Sequence, residues 1–108
     1  MAWTQSAIKS LFYKARVVYR DARLTIKNAR NAELIGRLVV VVPKKIGSAP
    51  QRNLIKRRIR ALFSEKKLAS MGFDWVFFIK QPLHQVPFSQ LVAIIDPLVQ
   101  QLPPNTPS

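Results

Sequence analysis

The stretch Pro50-Gln51-Arg52-Asn53-Leu54-Ile55-Lys56-Arg57-Arg58-Ile59-Arg60-Ala61-Leu62-Phe63 decides how the chain is read. On a wheel of about 100° per residue, Ile55, Ile59, Leu62 and Phe63 share one face and form a core stripe. Arg52, Lys56 and Arg60 step along one flank at i, i+4 and i+8, with Asn53 and Arg57 just beyond them. Arg58 falls on the other flank, and Leu54 points largely away from the stripe. Pro50 suits the first turn of a helix, with Ser48 or Ala49 near its cap. The pattern predicts a helix from about Pro50 to Leu68, with Gly72 as its C-terminal stop.

Working outward, Arg37 to Val42 is a β-branched run that predicts a central strand covered on both faces, ended by Pro43. A basic connector from Lys44 to Pro50 joins it to the helix. Downstream, Phe73 to Ile79 reads as a second buried strand and Gln81 to Pro87 as a loop. A last helix runs from Pro87 or Phe88 to Gln101, with Leu91, Ile94, Ile95, Leu98 and Leu102 as its stripe. Pro97 inside it should kink or shorten it. Near the N-terminus, Ser6 to Lys14 predicts a short helix with Ile8, Leu11 and Phe12 on one face. Val17 to Tyr19 and Leu24 to Ile26 are β-rich, and Asn28 to Ala32 reads as a turn.

Strands and helices sharing one small core predict an α+β two-layer sandwich in the order α-β-β-β-α-β-α. Its sheet is small and mixed, and the arginine-rich helix is the crossover. The chain has 108 residues, enough for one domain, assigned here to residues 1–102. Residues 103–108 form a Pro-rich tail that is expected to be disordered.

Charge narrows the function. Eighteen Lys+Arg against five Asp+Glu give a net charge of +13, which a polyanionic partner would neutralise. Between Lys44 and Lys67 there are nine cations and one acid, Glu65, where a merely solvated helix would mix signs. Arginine offers planar forks to phosphate, and asparagine can read sugar or base edges. One His, five carboxylates and no Cys leave little for acid–base chemistry, thiol catalysis or a protein-built metal site. No catalytic residue and no metal ligand is expected on this chain; Asp21, Asp74 and Asp96 are dispersed, and His84 stands alone. Trp75 is expected to pack in the core or at a sheet edge, with stacking on RNA as the other reading. The N-terminus has no signal-type apolar segment, and no apolar run approaches the roughly 20 residues of a spanning helix. A cytoplasmic location and no membrane partner are expected.

Lys44-Lys45-Ile46-Gly47, followed by Arg52-Asn53-Leu54-Ile55-Lys56-Arg57-Arg58-Ile59-Arg60, resembles the signature of the protein subunit of bacterial ribonuclease P. Strand, connector and arginine-rich helix match together, and element order extends the resemblance over roughly Ile8 to Leu102. It departs at Leu54, where the family has an arginine, at Pro43, where serine is usual, and at Ile8, where an aromatic is typical. The family's basic N-terminal extension is also shorter here.

The resemblance implies a non-catalytic protein cofactor of a ribozyme. The RNA subunit carries the active site, and Mg²⁺, held mainly by that RNA, activates the water that cuts precursor tRNA at its 5′ end. Lys44, Lys45, Arg52, Asn53, Lys56, Arg57 and Arg60 match the RNA-binding positions. Phe12 and Lys80 match residues of a cleft that takes the single-stranded 5′ leader, and Ile8 occupies its other aromatic position. The alternative is a structural RNA-binding protein of ribosomal-protein type with no role in cleavage, which nothing obliges to carry this spacing. A DNA-binding domain lacks any helix-turn-helix or zinc pattern here. A membrane-surface helix would leave the apolar strands without a cover.

Overall fold

A computed structural model describes residues 5–31 and 36–101. The helices are α1 (Gln5–Lys14), α2 (Ala49–Glu65) and α3 (Phe88–Gln101). The strands are β1 (Arg16–Arg20), β2 (Leu24–Arg30), β3 (Leu38–Val41) and β4 (Phe73–Ile79). Short 3-10 turns cover Lys44–Ile46, Leu68–Ser70 and Leu83–Gln85. The α+β class and the order α-β-β-β-α-β-α hold. Residues 102–108, where the tail was expected, lie outside the described residues.

The strands form one sheet in the order β1-β2-β4-β3. β1 and β2 pair antiparallel, as do β2 and β4, while β3 runs parallel to β4 through the α2 crossover. Alternation along the strands separates two faces. Leu24, Ile26, Trp75, Phe77 and Ile79 point to one of them and bury against Ile55, Ile59 and Leu62 of α2 and Leu91, Ile94, Ile95 and Leu98 of α3. Thr25, Lys27, Val76 and Phe78 point to the other, which α1 crosses: Leu11 is buried there, and the Phe12 ring rests on Phe78. Trp75 is a core residue and is not available for stacking on RNA.

Three expectations change. The β-branched run is the edge strand, half-buried along its length, and β4 takes the centre. Such a run reports apolar cover on both faces but does not count hydrogen-bonded neighbours. Asn28, Ala29 and Arg30 do not turn; they end β2 opposite Trp75, Asp74 and Phe73. Cross-strand pairing there outweighs their local turn preference. α2 stops at Glu65, where Lys67 adopts the left-handed conformation (φ 56°), and Gly72 (φ 86°) instead turns the chain into β4. α3 runs from Phe88 to Gln101 as expected, with Pro97 inside it and no shortening there. Pro97 is exposed, as is Ala93, whose carbonyl it leaves unbonded, so solvent can satisfy the gap.

Candidate nucleic-acid interface

The basic helix is held at a defined rotation and start. Ile55, Ile59 and Leu62 are buried in the core, which turns the opposite side outward. Ser48 caps the helix in a reciprocal box: the Gln51 N–H donates to Ser48 Oγ (3.3 Å), and the Ser48 N–H donates to Gln51 Oε1 (2.9 Å). Gly47 belongs to this arrangement, because a Cβ there would run into the Gln51 side-chain amide. Just upstream, buried Ile46 anchors the turn that exposes Lys44 and Lys45.

Asn53, Arg57 and Arg60 are exposed; Arg52 and Lys56 are half-buried along the same flank. Arg52 Nε donates to the Gly47 carbonyl (3.2 Å), which draws that side chain toward the connector. Among the described residues, no ion pair involves Lys44, Lys45, Arg52, Lys56, Arg57 or Arg60. Arg58 does different work: its guanidinium donates to the carbonyls of His84 (3.3 Å) and Val86 (3.2 Å), tying α2 to the loop before α3. That is the structural part His84 plays.

A second surface lies on the face that α1 crosses. Phe12 is 38% exposed, and its ring sits 5.5 Å from that of Phe78 at an interplanar angle of 53°. Lys27 Nζ stands 5.3 Å from the Phe78 ring centre. Ile8, one turn before Phe12, is half-buried. Lys80 is exposed two residues beyond Phe78, and pairing places Arg20 beside Thr25 in the same row as Phe78. Phe12, exposed, and Phe78, half-buried, thus form a ring pair with one ammonium group beside it, an arrangement on which nucleic-acid bases can stack. Phe78 and Lys27 were missed in the sequence. Strand alternation was the available signal, since Phe78 differs in parity from buried Phe77 and Ile79.

The structure thus keeps the two residue sets on opposite faces of the sheet. Val41 pairs with Phe78, so the connector bearing Lys44 and Lys45 leaves the sheet at the end where Phe78 and Lys80 lie. The connector is the bridge between the surfaces.

The aspartates are otherwise engaged. Asp74 accepts from the Asn31 amide (2.7 Å) and the Arg37 N–H (2.7 Å) and pairs with the Arg37 guanidinium (3.3 Å). Asp96 pairs with Lys66 (2.8 Å). Asp21 pairs with Arg23 (2.8 Å). Burial alone would raise the Asp21 pKa, but hydrogen bonds from Arg23, Tyr19 and two backbone N–H groups outweigh it and hold the carboxyl well below its usual range. These carboxylates do not fit a protein-built Mg²⁺ site. Among the described residues, no helix is long and apolar enough to cross a membrane.

Comparison with known proteins agrees with this build. The family model described as Ribonuclease P matches residues 4–103. The ribonuclease P protein component of Roseiflexus castenholzii is 35% identical over 92 residues, covering 78% of this chain and 75% of that protein. That of Petrotoga mobilis is 37% identical over 87 residues, covering 76% and 74%. The solved RNase P protein of Thermotoga maritima superposes with a TM-score of 0.74 at 24% identity, over 89% of this chain and 91% of that one. The Staphylococcus aureus structure gives 0.74 at 23% identity, over 94% of each.

Proposed function

The chain belongs to the ribonuclease P protein family, and from that premise we propose how its two surfaces share the work. Its role is that of the non-catalytic protein subunit of the ribonucleoprotein that matures the 5′ ends of tRNA. In our reading, Arg52, Asn53, Lys56, Arg57 and Arg60, with Lys44 and Lys45, bind the phosphodiester backbone of the RNA subunit. The cleft of Phe12, Phe78, Lys27 and Lys80, with Ile8 at its rim, takes the single-stranded 5′ leader of precursor tRNA. Bases stack on the rings while the ammonium groups meet the phosphates. Ile8 offers apolar contact but no ring. The RNA subunit holds the Mg²⁺ that activates water, and the protein works where tRNA is processed, in the cytoplasm.

The observation that carries the leader assignment is the exposed Phe12 ring resting on half-buried Phe78, with Lys27 beside the Phe78 ring. Its test is reconstitution with a bacterial ribonuclease P RNA at low Mg²⁺. Phe12→Ala should raise KM for leader-bearing precursor by roughly tenfold, the worth of one stacked base. Affinity for leaderless mature tRNA should stay unchanged. Equal losses on both RNAs would remove the cleft from leader recognition.

A further inference from the structure

At the end of the sheet away from the aromatic pair is a cavity of about 390 Å³ lined by Lys14, Arg16, Asn28, Ala29, Arg30 and Phe73. The pairing explains who meets there. Arg16 and Asn28 are register partners across β1 and β2, and Arg30 follows Asn28 on the same face. Arg30 lies opposite Phe73, with its guanidinium carbon 5.8 Å from the ring centre.

Asn28 is only 6% exposed, yet its Nδ2 has no hydrogen-bond partner. A buried amide donor without an acceptor is costly, and native structures seldom leave one so. Directly opposite in the register, the buried Trp75 indole N–H is also without a partner. Lys14, Arg16 and Arg30 are exposed at the mouth, and among the described residues no ion pair involves them. A water could accept from the amide but would not offset three clustered cations. An anion with several acceptor oxygens does both.

The geometry points to a second phosphate-binding site, in which the Asn28 amide donates to one phosphate oxygen while Lys14, Arg16 and Arg30 neutralise the group. This rests on reading the chain as an RNA-binding subunit, which makes an RNA backbone phosphate the occupant. Phe73 and Phe78 are five residues apart on β4, or about 17 Å at strand rise. The site therefore engages a stretch of RNA other than the bases stacked on Phe12 and Phe78.

The test uses the full chain labelled with ¹⁵N and inorganic phosphate as probe, followed by RNA-subunit binding across a salt series. The Asn28 side-chain amide resonance should shift saturably with phosphate. The Arg16→Gln/Arg30→Gln variant, altered only at exposed positions, should bind phosphate and RNA roughly tenfold more weakly. Its salt slope should fall by about one phosphate equivalent. An Asn28 amide that phosphate does not move marks a water pocket and overturns the site. Phosphate binding with RNA affinity unchanged assigns the site to the free anion and overturns the RNA occupant. Arg57→Gln is run beside it: if that variant loses affinity and the double variant does not, this proposal fails alone. If neither loses affinity, the reading of α2 as the RNA-binding face fails with it.

Discussion

Asp21 shows how one side chain can close a turn. Its Oδ2 accepts from the Tyr19 hydroxyl (2.7 Å) and from Arg23 Nε (3.1 Å) and Nη2 (2.8 Å). Its Oδ1 accepts from the backbone N–H groups of Arg23 (2.6 Å) and Leu24 (3.2 Å), fixing the link between β1 and β2. The folded carboxyl titrates below its unfolded value, so its contribution is complete above about pH 4 and is lost as pH falls through the folded pKa. Asp21→Asn should cost roughly 1–3 kcal/mol near neutral pH. The gap in Tm between variant and parent should narrow in acid. A gap that stays constant down the acid limb would show that the carboxylate charge is not what closes the turn. Little of this was visible in the sequence, where Asp21 was one dispersed acid. Its ligands are local, but which of them it gathers depends on the strand directions either side.

At the scale of the element, α2 is the best-specified part of the chain. The Ile55/Ile59/Leu62 stripe, the Pro50 in its first turn and the Ser48 cap all agree, and the structure places them as the spacing predicts. Ile59 is 1% exposed, so Ile59→Ala should destabilise the fold by about 2–5 kcal/mol in denaturant unfolding. A fully stable variant would mean a helix rotated away from the core. The end of α2 was less legible. Gly72 carried the obvious stop signal, but the core contacts of the helix finish at Leu62 and Phe63, and Lys67 takes the left-handed turn. β3 was legible as a strand and illegible as an edge. Its composition records a half-buried apolar strand with Leu38 and Val40 on the core, while its neighbours are set by the α2 crossover.

Over the whole molecule, the net charge of +13 sits on a scaffold with few acids to quench it. The helix cations without ion-pair partners are the ones a phosphate backbone can neutralise with release of counterions. Replacing Arg57 or Arg60 with alanine should weaken RNA-subunit binding by about 1 kcal/mol or more and flatten the salt dependence by about one unit each. Unchanged affinity and slope in both would take this face out of the interface. The same scale explains why the two surfaces proposed to face RNA coexist in so small a chain. One sheet face is spent on the α2–α3 core, and the short α1 covers only part of the other, which leaves Phe12 and Phe78 accessible.

The sequence by itself determined the element order, the helical rotation of α2 and the residues of its cationic flank. Each of these follows from local periodicity and capping, which act within a few residues along the chain. It also marked Phe12 and Lys80, through the family resemblance, without showing what surrounds them. Only the tertiary structure decided that β4 is central, that Phe78 and Lys27 stand beside Phe12, and that Asn28 meets Arg16 and Arg30 around a cavity. Those depend on strand register and on which helix covers which face. Register and cover are chosen by pairing energy summed across residues distant in sequence, which no local pattern records.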